Sequence, residues 1–372
     1  MFSYDTIQHI AAILKFENNQ TYLKSILGNY HETDWEKLVK IGSHHLVLPP
    51  IYCRLKQKEL LDILPKDLNN YLTELTQINR NRNNAVFGQV KELSSILRQQ
   101  NIEHVFLKGI ALISANYFED ISERMIGDID ILVKESQLKE AASLLLRNNY
   151  EYKTSTFGEK YFEYHHDLSL ISKDGGLAPV ELHRHILHSH YDKFLISQNV
   201  LENKENYHNI FIPSKYHILE NIILNFEIND YGHIYNTIGI RNMYDYICST
   251  NSISKNILES LFKTSKFHAL FIKKTHFYFN NFKIFELKNN HKFIIVSTTS
   301  PFSINNELVP YIEKILNLKE GKNTVREHST YLMGGSMLAN SRMIKKVVQG
   351  PSLHLVVSST WGNSRMGVKM EK

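Results

Sequence analysis

Through the first hundred residues, apolar side chains recur every three or four positions, the spacing of helices that bury one face. Ile7, Ile10, Ala11 and Leu14 share such a face. Pro49-Pro50 interrupts the pattern ahead of Ile51–Leu55. From Asp67 to Gln100 the spacing predicts one long helix with an apolar stripe of Leu72, Leu75, Ile78, Val86, Val90, Leu93 and Leu97. Its middle, Asn79-Arg-Asn-Arg-Asn-Asn84, is polar, as on a solvated helix face; a ligand-facing surface is the alternative.

The period then shortens. His104–Leu107 is a short apolar run suited to a buried strand, ended by Lys108-Gly109, and Ile110–Phe118 reads as a helix. Gly127–Val133 alternates as a second strand. Leu138, Ala141, Ala142 and Leu145 stripe the next helix, which Asn148-Asn149 closes. Tyr161–Ser172 and Pro179–His183 again alternate, with Lys173-Asp-Gly-Gly176 as the turn between them. Helical spacing returns from Tyr216 (Ile218, Ile222, Ile223, Phe226) and over Ile240–Ile247, and one short helix is expected near Met337–Val348. The expected organisation is a helical region over 1–100, an α/β-type core with a mixed sheet over 101–200, a helical region over 201–320 and a weakly patterned tail over 321–372. The fold class is therefore α+β.

At 372 residues, with 42% hydrophobic and 22% charged positions, the chain has an ordinary globular composition. A net charge of +5 and a pI near 8.8 suit phosphate-bearing ligands. The basic residues are not gathered into an aromatic-interleaved patch, which disfavours nucleic acid as a partner. Cys53 and Cys248 lie far apart without zinc-type spacing. With no export pattern at Met1–Gln8 and no apolar run of membrane-spanning length, a cytoplasmic protein without membrane association is expected.

The chemistry gathers at Asp128-Ile129-Asp130. Residues two apart on a strand share a face, which sets the two carboxylates roughly 6–7 Å apart along the backbone, while Ile129, Ile131 and Val133 fill the other face. Two anions on an otherwise apolar strand repel each other and resist burial, and a hard divalent cation resolves that conflict. A solvated strand end carries the same tripeptide, so the motif needs company. Glu181, in Val180-Glu-Leu-His183, is the candidate third carboxylate, with His183 on its face; an edge-strand pair with Arg184 is the alternative. If that strand neighbours the Asp128 strand, three carboxylates form a two-metal cradle. Lys108-Gly109 lies between a strand and a helix, where glycine admits close phosphate approach and lysine adds charge. Arg124 can grip a phosphate, or pair with Glu119 or Glu123. His185, His188, His190 and His165-His166-Asp167 are expected to be structural or solvated, and Met333-Gly-Gly-Ser336 is a weak glycine-loop decoy.

The run Phe106-Leu-Lys-Gly-Ile-Ala-Leu112, then Arg124, Asp128-Ile-Asp-Ile-Leu-Val133 and Val180-Glu-Leu-His183, resembles the uncharacterised bacterial nucleotidyltransferases of the DNA polymerase β superfamily. The resemblance extends over about residues 40–250, including His45–Leu55 and Arg241-Asn-Met-Tyr-Asp245. It implies a minimal nucleotidyltransferase sheet with helical flanks and Asp128, Asp130 and Glu181 as metal ligands. It also implies Lys108-Gly109 in place of the superfamily's Gly-Ser loop. The expected reaction is Mg²⁺-dependent transfer of a nucleoside monophosphate from an NTP to a hydroxyl or phosphate, with Mn²⁺ as an alternative ion. ATP is the first-choice donor, and a small molecule, peptide or protein is the acceptor. Lys108, Gly109, Arg124 and His183 are expected at the nucleotide. A catalytically silent nucleotide-sensing or protein-binding module and a tailoring enzyme for a peptide or small natural product are the alternatives.

Overall fold

A computed structural model describes residues 4–153, 169–250, 253–279, 342–349 and 352–359. Four helices open the chain: α1 (Tyr4–Leu14), α2 (Gln20–Leu27), α3 (Glu32–His44) and α4 (Leu48–Gln57). The prolines 49 and 50 begin α4 instead of breaking a helix. In a first turn the missing N–H costs nothing and the fixed φ is already helical.

The long helix α5 (Lys66–Gln99) forms as the spacing requires, but its buried stripe is Leu72, Thr76, Asn79, Asn83, Val86, Val90, Leu93 and Leu97. Ile78, expected in that stripe, is 56% exposed. The stripe keeps helical periodicity and changes character midway, because there it faces backbone carbonyls and not apolar side chains.

The sheet follows: β1 (His104–Phe106), α6 (Lys108–Ser114), β2 (Ile129–Val133), α7 (Leu138–Arg147), β3 (Tyr150–Tyr152), β4 (Leu170–Ser172) and β5 (Val180–His183). Its order is β1-β2-β5-β4-β3, with β2 and β5 parallel and the other neighbours antiparallel. At the turn into β5, Gly175 adopts φ +83°, which a side chain would strain. One sheet face, with Ile129, Ile131, Val133, Val180 and Leu182, joins Val86, Val90, Leu93, Ala141 and Leu145 of α5 and α7 in the main core. On the other, Leu132 packs with Val105, Leu107, Ile186 and Leu187 in a smaller core. Asp130, Glu181 and His183 stand on that second face.

Beyond the sheet come α8 (Ser197–Glu202), the hairpin β6 (Glu205–Tyr207)–β7 (Ile210–Ile212) and α9 (Lys215–Leu224), which runs on into a π-helical turn at Asn225–Asn229. Then follow α10 (Gly232–Tyr235), α11 (Ile240–Thr250), α12 (Lys255–Thr264) and α13 (Lys266–Phe279). The fold is thus α+β, a mixed sheet between helical regions. No helix among the described residues is long and apolar enough to cross a membrane.

The chain divides into two units, 1–295 and 296–372. In the second, β8 (Arg342–Gln349) and β9 (Ser352–Ser359) pair antiparallel, with Gln349 opposite Ser352. This corrects the expected helix near Met337–Val348 over its described part. Ile344, Val347, Val348, Val356 and Val357 are β-branched and suit a pleated surface better than a helix.

Candidate active site

Strand pairing builds the site. Asp130 and Glu181 are direct register partners across the parallel β2–β5 pair, which brings their backbones to about 4.8 Å. β5 lies between β2 and β4, so Glu181 is not the edge-strand residue of the alternative reading. His183, one pleat further along, places Nε2 2.8 Å from Asp130 Oδ1 and 3.7 Å from Glu181 Oε2. The ligand atoms of Asp130, Glu181 and His183 all lie within 4.8 Å of one another. Ser169 donates to the other Glu181 oxygen at 3.0 Å.

Asp128 stands just before the strand and outside that tight cluster. The Asp130 carboxylate, then burial, push the Asp128 carboxyl above the usual range, and Lys108, Arg241 and Arg124 oppose the shift. Lys108 Nζ lies 2.6 Å from Asp130 Oδ1. Burial works against the Lys108 ammonium, but Asp130, Asp128 and Glu181 outweigh it and hold the group above the ordinary lysine range. The lysine, the first residue of α6, occupies the left-handed region at φ +48°. For a residue with a side chain that backbone costs roughly 1–2 kcal/mol. Gly109 is buried beside it, and a Cβ there would lie 3.9 Å from the Arg124 guanidinium carbon.

The donor set, the Asp130 and Glu181 carboxylates with that of Asp128 close by, fits a divalent cation. Oxygen ligands suit Mg²⁺ and Mn²⁺ alike.

Arg124 is buried, and its Nε donates to Asp245 Oδ2 of α11 at 2.9 Å. It pairs with neither Glu119 nor Glu123; Glu123 binds Arg54 of α4 at 2.7 Å and the Tyr244 hydroxyl at 2.5 Å. With Lys108, Arg124 lines a small cleft completed by Ala111, Leu112, Pro213, Ile218, Asn221, Ile222, Asn225, Arg241, Asn242 and Asp245. Burial, then Arg124, pull the Arg241 guanidinium down to about 10, which leaves it charged at neutral pH. Arg241 and the asparagines received no role from the sequence. Arg241 belongs to the Arg241–Asp245 run already noted, and the asparagines carry no local signal.

The polar middle of α5 is a solvated face only in part: Asn81 and Asn84 are exposed, while Asn79 and Asn83 are buried. Asn83 Nδ2 donates to the carbonyls of Ile121 and Arg124, both at 2.7 Å, and Asn79 Nδ2 to that of Ser122 at 2.7 Å. Arg80 holds Asp120 through two nitrogens. Arg82 reaches the carbonyls of Ile126 and Leu177, and Gln89 that of Ala178. These bonds satisfy irregular backbone that has no ladder of its own. One helix therefore sets the entry to both carboxylate-bearing strands.

Of the remaining histidines, His185 lies 3.6 Å from Asp192, and His188 stacks on Tyr231; neither joins the Asp130 cluster. His165-His166-Asp167 and Met333–Ser336 fall outside the described residues.

Residues 31–257 match the family model described as "Uncharacterised nucleotidyltransferase". No curated protein matches the chain. The matched span contains the whole sheet, the carboxylate cluster and the cationic cleft. It supports nucleotidyl transfer as the reaction class and an NTP as substrate. With well over half its length matched, the chain belongs to this uncharacterised nucleotidyltransferase family.

Proposed function

We propose that the protein transfers a nucleoside monophosphate from an NTP, with ATP the first candidate, to a hydroxyl or phosphate of a small-molecule or peptide acceptor. The observation that carries this reading is the register of Asp130 against Glu181 beside a cleft lined by Lys108, Arg124 and Arg241. Asp128, Asp130 and Glu181 hold Mg²⁺ or Mn²⁺, and His183 keeps Asp130 oriented through the 2.8 Å contact. A bound divalent ion would lower the pKa of the acceptor oxygen and neutralise the leaving pyrophosphate. Lys108, Arg124 and Arg241 bind the triphosphate as charges set in advance, the electrostatic preorganisation on which phosphoryl-type transfer depends. The Arg124–Asp245 pair ties α11 to the segment that enters β2, so it fixes this cation in place.

The test is incubation with Mg²⁺ and labelled NTPs in a cell extract, alongside calorimetry of Mg²⁺-NTP binding. Nucleotide-dependent labelling that disappears in Asp128→Asn is expected. Absence of both labelling and binding would overturn the reading. Binding without turnover would favour a nucleotide-sensing module instead.

A further inference from the structure

Three cations reach the small cleft, and two of them are already engaged by the protein itself. Lys108 Nζ lies 2.6 Å from Asp130 Oδ1, and Arg124 Nε lies 2.9 Å from Asp245 Oδ2. Arg241 differs. Its side chain, partly buried on α11, lines the same cleft but makes no hydrogen bond or ion pair among the described residues. Burial and the neighbouring Arg124 oppose its charge, while Asp245, Asp230 and Asp128 favour it from beyond ion-pair distance. A sheltered guanidinium whose donors lack acceptors is costly, and an anion that accepts from it removes the cost.

The size of the cleft narrows the choice of anion. It holds about 50 Å³, space for a few water-sized groups. One tetrahedral phosphate group fits such a space; a sugar or a base does not. Phosphate oxygens also match the planar fork of arginine, which binds them through two parallel N–H bonds. A cleft this small admits the end of a phosphate chain and not its middle, which is bonded on two sides. Arg241 feels the Asp128 carboxylate, so a chain held at its end by Arg241 has its inner phosphates near the acidic cluster.

We infer that Arg241 receives the terminal phosphate group of the donor nucleotide, with the Lys108 and Arg124 ion pairs forming the sides of that subsite. The inference rests on the nucleotidyl-transfer reading and adds which end of the donor the cleft takes, and which cation grips it.

Calorimetry in Mg²⁺ with two probes, a non-hydrolysable ATP analogue and AMP, tests the assignment. Arg241→Gln should weaken the analogue at least about tenfold, the loss of one hydrogen bond to a charged group, and leave AMP unchanged. Arg241→Lys, which keeps the charge and loses the fork, should fall between that variant and the unaltered protein. Since no protein group uses the guanidinium, the glutamine variant should melt, without ligand, no lower than the unaltered protein. If it binds the analogue as tightly as the unaltered protein does, the inference falls while the transferase reading stands; slower transfer in that variant would then give the phosphate to the acceptor. Equal weakening of both probes, or a melting temperature well below that of the unaltered protein, also overturns the assignment. If the unaltered protein binds neither probe, the transferase reading falls and takes the inference with it.

Discussion

Lys108 and Asp130 are joined by a 2.6 Å ion pair between the start of α6 and the middle of β2, with the aspartate almost wholly buried and the lysine side chain 21% exposed. The pair places a fixed positive charge against the carboxylates that the proposed function assigns to a metal. It also explains why a lysine is held in left-handed backbone: the side chain is aimed at Asp130.

Lys108→Ala should lower stability in chelator by about 2–3 kcal/mol, less than breaking a fully buried pair, because the lysine is partly exposed. Relief of the left-handed backbone is small against that loss, since alanine still has a Cβ. Saturating Mg²⁺ or Mn²⁺ should restore more stability to the variant than to the unaltered protein, because the ion takes over the missing charge. Denaturant melts with and without the ions provide the measurement, and an equal response in both proteins would contradict the charge argument.

Glu181→Gln keeps size and shape and still accepts from Ser169. Stability should stay within about 0.5 kcal/mol. Transfer should fall by at least ~10²-fold if the carboxylate supplies metal and charge stabilisation. Single-turnover kinetics paired with a melt distinguish this from unfolding; an active, stable variant would remove Glu181 from the site.

Asn83→Ala leaves the carbonyls of Ile121 and Arg124 without their 2.7 Å donor in a buried setting. The expected cost is about 2–3 kcal/mol. Because the freed segment carries Arg124, affinity for the NTP should weaken more than affinity for the bare metal ion. Calorimetry of each ligand reads the difference, and an equal loss in both would argue that the clamp does not position the cation.

Glu220 on α9 is buried, and desolvation, partly offset by a hydrogen bond from Tyr216, pushes its carboxyl up to about 7. An unfolded glutamate titrates near 4.3. The native state therefore keeps a proton that the unfolded chain releases. The stability is complete below the unfolded value and is lost as pH rises through 7, roughly 4 kcal/mol at most. Glu227, also pushed up to about 7 by burial against the opposing charge of Lys274, adds to the same decline. Glu220→Gln should flatten part of the slope between pH 5 and 7.5 in denaturant titrations. A slope identical to that of the unaltered protein would place the titration elsewhere.

Local pattern was legible wherever a residue's environment depends on its own segment. The β2 alternation, the stripe of α7 and the length of α5 follow from spacing alone, and the α+β class follows from the order of those elements. The α5 asparagines show where this fails. Asn79 and Asn83 occupy buried stripe positions, yet their polarity reads as solvent until the loop at residues 121–124 is seen lying against them. The hairpin at 342–359 shows a second failure, since a short apolar run with β-branched residues suits strand as well as helix.

By itself, then, the chain's order of residues determined that Asp128 and Asp130 flank the isoleucine that opens a buried strand and that Glu181 and His183 share a face of another. Periodicity is set by bond geometry between near neighbours, so it is visible in one dimension. Tertiary structure decided that these two strands pair in parallel with Asp130 opposite Glu181, that Arg124 is held by an aspartate 121 positions later, and that Arg241 lines the same cleft as Arg124. Those outcomes depend on which surfaces exclude water together. That is a property of the packed whole, and no window along the chain contains it.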